Sequence, residues 1–151
     1  MTEINHEIRT LNNLIAHICD NIDGYAAAAG DPQAGSLAEM FRARVRERGT
    51  VVRDLQAEVA RLGGVPEEHG TLLAAAHRTY LHLKAAVTRT DLQAVVEEVE
   101  RSENLLKAKF ESALADEDLS FSVRSVIRTG FASVGEGREE MRELKHSLEA
   151  A

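Results

Sequence analysis

Apolar residues recur at spacings of three and four along four stretches of this chain, the period of a helix that buries one face. The first stretch carries Ile4, Ile8, Leu11, Ile15, Ile18 and Ile22, with Asp20 and Asp23 at its edge. The second carries Leu37, Phe41, Val45, Val52, Leu55, Val59 and Leu62, joined by Arg48 and flanked by Asp54. The third reads Leu92, Val95, Val99, Glu103, Leu106, Phe110, and the fourth Val123, Ile127, Phe131, Val134, Arg138, Met141, Leu148. Each stripe thus meets a polar or charged residue near mid-helix, where an ordinary bundle continues with Leu or Val.

Punctuation between the stripes sets the boundaries. Gly30-Asp31-Pro32 ends the first helix, predicted over 3–29. Ser36 with Glu39 reads as a capping box opening a second helix over 36–62, which Gly63-Gly64 and Pro66 close. Thr90 with Gln93 reads as another box, opening a third helix over 91–114. The acidic turn Asp116-Glu117-Asp118 favours a helix start, giving a fourth helix over 119–148. A shorter periodic segment, Leu73, Ala76, Tyr80, Leu83, Val87, predicts a crossover helix over 71–87; at ~1.5 Å per residue it covers much of a bundle's length. Two hairpins joined by a long connection predict an all-α, ferritin-like four-helix bundle with a helical crossover between helices two and three, one domain over residues 1–151.

Composition narrows the function classes. Of 151 residues 44 % are hydrophobic and only 4 % aromatic, with no Trp and two Pro, which favours helix over strand. The net charge of −7 argues against nucleic acid as a partner, because non-specific binding rests on Lys and Arg neutralising phosphates. The one basic cluster, Arg42, Arg44, Arg46, Arg48 and Arg53, is interrupted by Glu47 and spread around a helix, a solvated face with one inward Arg. A single Cys19 excludes an internal disulfide and reads as a small buried hydrophobe. No apolar run spans a bilayer, and MTEINHEIRT has no apolar signal core, so a cytoplasmic protein is expected.

With these residues in view, the chain resembles a bacterial family of ferritin-like four-helix-bundle proteins of uncharacterised role. The resemblance rests on an ordered set spanning nearly the whole chain: Leu11-Asn12-Asn13-Leu14-Ile15; Asp20 with Gly24-Tyr25 and the alanines after it; Leu62-Gly63-Gly64-Val65-Pro66; His77-Arg78 and Leu83 to Val87; and the acidic run Glu97 to Glu103. It implies the fold, with metal binding as a secondary implication. The chain departs from the family pattern where metal ligands are implied: Gly30 stands at a Glu position after the alanines, Arg138 at a His position in the last helix, and the second-helix acid is the shorter Asp54.

The residues themselves leave the chemistry open. A carboxylate-bridged di-iron site needs about four acids and two His, typically from Glu-x-x-His pairs. Here the one such pair, Glu143 with His146, falls near the end of the last helix and reads as a surface pair. Asp20, Asp54, Glu100 and Glu103 are the candidate metal ligands, for iron or manganese. The competing reading needs no cofactor: Arg138 and Arg48, if inward, pair with Glu103, Asp54 or Asp20 and supply the positive charge a metal would. No nucleophile elbow, Cys/His pairing or phosphate loop is present, and His6, His17, His69, His77 and His82 share no ligand spacing. The preferred expectation is a non-catalytic bundle with a protein-association or stress-related structural role, forming a homodimer. The alternative is a ferritin-like metal-binding protein with oxidase or iron-handling activity.

Overall fold

The computed structural model describes residues 2–71 and 92–150. Four long helices dominate them, with no strand among the described residues: α1 (Thr2–Gly30), α2 (Ala38–Arg61), α3 (Leu92–Leu114) and α4 (Phe121–Ala150). The expected crossover helix over 71–87 lies, but for Thr71, outside the described residues, as does Thr90 of the expected second capping box.

Local chemistry explains the helix ends, and once corrects the expectation. After α1, Asp31 accepts the Gln33 amide at 2.8 Å and starts a 3-10 turn over Pro32–Leu37, kinked at Gly35 (φ 53°). The Ser36–Glu39 box does not form: Leu37 precedes α2 without a side-chain cap, and Glu39 instead binds Arg42 and Arg46 at 3.2 and 3.1 Å. Two guanidinium groups on the following turns outcompete one weak cap. Helix α2 closes as read, with Gly63 at φ 86° and the Gly64 amide bonded to Val59 O at 3.0 Å. The acidic turn 116–118 directly precedes α4 as read, and Ser120 caps the helix, accepting the Val123 amide at 3.3 Å, while Asp116 accepts the Asp118 amide at 2.9 Å.

Long-range bonds fix the topology. His6 meets Asp116 and Asn21 meets Glu103, so α1 and α3 run antiparallel. Glu58 meets Ser122 and Arg44 meets Glu140, so α2 and α4 do too. With antiparallel hairpins on either side, the helices run up, down, down and up. That order requires a long connection between α2 and α3, as in ferritin-like bundles.

The core is in two parts. One cluster gathers Leu11, Ile15, Ile18, Leu55, Val59, Leu106, Phe110, Val123, Ile127 and Val134; the other gathers Tyr25, Phe41, Val95, Val96, Val99 and Met141. Between them lies a polar layer of Asn21, Arg48 and Glu103, all buried. Two glycines let α4 approach this core closely. A Cβ at Gly130 would lie 3.0 Å from Val51, and one at Gly137 would overlap the polar layer; Gly135 faces open space.

Candidate functional site

Helix periodicity delivers one side chain to the polar layer from each of three helices, and an empty space from the fourth. Continuing the α1 core face from Leu14 and Ile18 by threes and fours reaches Asn21 and then Tyr25. Arg48 continues the face of Phe41 and Leu55 on α2, and Glu103 that of Val99 and Leu106 on α3. On α4 the position between Val134 and Met141 is Gly137.

Arg48 and Glu103 are both 0 % exposed and form a bidentate pair, Nη1–Oε1 at 2.6 Å and Nη2–Oε2 at 2.7 Å. Asn21 stands beside them: its Nδ2 donates to Glu103 Oε1 at 2.8 Å, and its Oδ1 accepts from Arg48 Nη1 at 2.6 Å. Asn21 Nδ2 also reaches Ser102 Oγ at 3.0 Å. The Arg48 guanidinium lies 5.8 Å from the Tyr25 ring centroid, a cation–π distance between two buried groups. Burial alone would favour loss of the Arg48 proton, but the Glu103 hydrogen bonds and charge outweigh it and hold the guanidinium above its ordinary range. Burial, reinforced by the Glu103 charge, pushes the Tyr25 phenol far above the usual phenol range.

A second tier flanks the pair toward α4. Arg44, buried as well, bonds Glu47 and lies 3.3 Å from Glu140, and Ser133 donates to Glu47. The basic cluster of α2 therefore sends two arginines inward rather than one. A Cβ at Gly137 would stand 2.3 Å from Arg48 Nη2, 2.6 Å from Glu103 Oε2 and 3.2 Å from Arg44 Nε. Only a residue without a side chain leaves room for the pair.

The four candidate ligands do not converge. Asp20 is turned to the loop, accepting the Thr71 amide at 2.8 Å and its hydroxyl at 2.7 Å. Asp54 is exposed on α2. Glu100 lies 3.6 Å from Lys145 Nζ. Glu103 alone reaches the centre, and both its oxygens are taken by Arg48. Among the described residues no three His, Cys, Asp or Glu side chains gather in a way that could hold a metal ion. The donor set at the centre does not fit a di-iron group: one carboxylate, already neutralised by a permanent cation, offers neither the charge nor the free oxygens.

Arg138 corrects the sequence reading directly. It is not in the core; its Nε donates to Asn104 Oδ1 at 2.7 Å in an exposed contact. Both 137 and 138 satisfy the helical period after Val134, and the closeness of α2 and α3 to the α4 backbone turns the glycine inward. Asn21 and Tyr25 are the residues the stripes do not single out. The signal for Asn21 was its spacing from Leu14 and Ile18. Cys19 is half-buried against the core, and burial, with Asp23 and Asp20 nearby, pushes its thiol up to about 11, so it is not a reactive site at neutral pH.

Residues 6–116 match a family described as a domain of unknown function, DUF2383, and the chain belongs to that family. A crystal structure of ferritin-like, diiron-carboxylate proteins from Bacillus anthracis str. Ames superimposes with a TM-score of 0.72, covering 96 % of this chain and 99 % of that one at 16 % identity. That similarity shows a shared ferritin-like fold. No curated protein matches the chain.

Proposed function

We propose that this member of the DUF2383 family is a ferritin-like bundle without a metal centre, serving a non-catalytic, protein-association role. The observation that carries the reading is the Arg48–Glu103 pair, fully buried and bidentate at the depth where bundles build metal sites. A guanidinium there neutralises the remaining carboxylate and repels a divalent cation. The competing reading, iron handling on Asp20, Asp54, Glu100 and Glu103, would need side chains that are engaged elsewhere or exposed. Metal analysis of protein purified without chelator tests the proposal. Sub-stoichiometric iron and manganese, with a melting temperature unmoved by added Fe(II), is the expected result; one or two tightly held ions per chain would overturn it.

The association half of the proposal rests on one end of the bundle. Ile4, Val65 and Phe121 are 41, 84 and 80 % exposed. They share that end, since Asn12 bonds Val65 O, Ser120 bonds Glu7 and Arg61 bonds Ser122. Exposed carboxylates, Glu3, Glu68, Glu117 and Asp118, rim these apolar side chains, and Arg61 is paired with Glu58 in the same chain. An isologous dimer buries these three side chains against the same three of a second copy, and its acidic rim makes it tighter at high salt. Sedimentation should show a dimer that Phe121→Glu dissociates. A wild-type monomer at high concentration would remove this half of the proposal.

A further inference from the structure

Apart from the buried pair, toward the other end of the bundle, α1 and α3 leave a solvent-open groove of about 360 Å³. Its floor is apolar, formed by the buried Leu14 and Ala113. Arg9 and Lys109 line it, together with the His6–Asp116 pair. The groove's one acid is already occupied: His6 Nε2 lies 2.5 Å from Asp116 Oδ2, and the Asp118 amide donates to Oδ1 at 2.9 Å. Those contacts, the amide first, hold the Asp116 carboxyl below the usual carboxylate range.

The two cations are not occupied in this way. Neither Arg9 nor Lys109 has a carboxylate partner within ion-pair distance among the described residues, whereas Lys107 on the same helix reaches Glu111 at 3.9 Å. The field of Lys109 is felt nearby: after burial, it is the largest influence holding the His17 imidazole below its ordinary range. On a protein of charge −7, two uncompensated cations over an apolar floor form a local site of the opposite sign. The volume is that of a small-molecule site.

We infer that this groove binds a small organic phosphate monoester, its dianionic head between Arg9 and Lys109 and its apolar substituent on Leu14 and Ala113. A guanidinium can bond two phosphate oxygens in its plane, and an ammonium adds a point charge. The apolar floor selects an ester over bare phosphate. The same head occurs in soluble esters and in phosphatidic acid; among the described residues none of the exposed large apolar side chains lines the groove to enter a bilayer, which assigns the soluble form.

The test is a titration of the full chain, followed by amide NMR shifts, with phenyl phosphate, inorganic phosphate and phenol. Vesicles of phosphatidylcholine with phosphatidic acid form a separate arm. Phenyl phosphate should give saturable shifts at His6, Asn13 and Ser112, with inorganic phosphate and phenol each at least about tenfold weaker, a factor equivalent to ~1.4 kcal/mol. Arg9→Gln with Lys109→Gln should weaken phenyl phosphate at least about tenfold. Arg53→Gln with Arg128→Gln removes the same charge from exposed sites elsewhere and should leave binding within about twofold. No saturable shift overturns the proposal. So does an equal loss in the Arg53/Arg128 control, binding of phenol or bare phosphate as tight as the ester, or binding to vesicles alone.

Discussion

Arg48 of α2 and Glu103 of α3 face each other across the bundle axis through two parallel hydrogen bonds, at 2.6 and 2.7 Å, with no exposure on either side chain. Taking two charges out of water costs several kcal/mol per ion, which their attraction offsets only in good geometry with the remaining bonding capacity met. Asn21 supplies part of that capacity, giving a donor to the carboxylate and an acceptor to the guanidinium. The pair therefore contributes little net stability but is strongly interdependent.

Breaking the pair from one side leaves a charge buried alone. Arg48→Met and Glu103→Leu should each destabilise by ~3–5 kcal/mol, and the double variant by much less than their sum. Denaturant unfolding of all four proteins measures the coupling. Additive losses would mean the two side chains do not depend on each other in the folded state.

Arg138 supplies the contrast. Its bond to Asn104 is exposed, so Arg138→Leu should stay within about 0.5 kcal/mol of wild type in the same assay. A loss of several kcal/mol would place it in the core after all.

Gly137 is the space the pair occupies. Alanine has the better helix propensity, by about 1 kcal/mol, and at an exposed helical site would stabilise. Here its methyl would overlap Arg48 and Glu103, and overpacking of this kind costs about 1–3 kcal/mol. Gly137→Ala should therefore lower the melting temperature, while Gly135→Ala, which meets nothing, should raise it. Equal responses at the two positions would contradict the notch.

Acid should weaken the fold in two stages. The His17 imidazole is held below its ordinary 6.5, by burial first and then by Lys109. The unfolded chain thus takes up this proton more readily, and His17's contribution, complete above about 6.5, is lost as pH falls through the folded value. Glu58 is held below its ordinary 4.5, chiefly by Arg61, so its contribution is present above about 4.5 and lost at lower pH. Urea midpoints measured from pH 8 to 3 should show His17→Gln removing the first decline and Glu58→Gln the second. An unchanged profile in either variant would refute that assignment.

The sequence by itself determined the fold. Four stripes of period near 3.6, stops at Gly30 and Gly63-Gly64, and a connection too long for a simple hairpin leave the ferritin-like order as the economical arrangement. Helix ends resting on backbone conformation were legible, as at Gly63; those resting on competition between side chains were not, as at Glu39. At the centre, sequence marked Arg48 and Glu103 because each interrupts an apolar stripe squarely. It could not choose between Asp20 and Asn21, or between Gly137 and Arg138. Neighbours on a helix differ by about 100°, and both members of each pair lie within the width of a buried face. Only tertiary structure decided. The approach of α2 and α3 to α4 turned the glycine inward, and the carboxylate that had to meet a guanidinium drew in a neutral amide rather than a second acid.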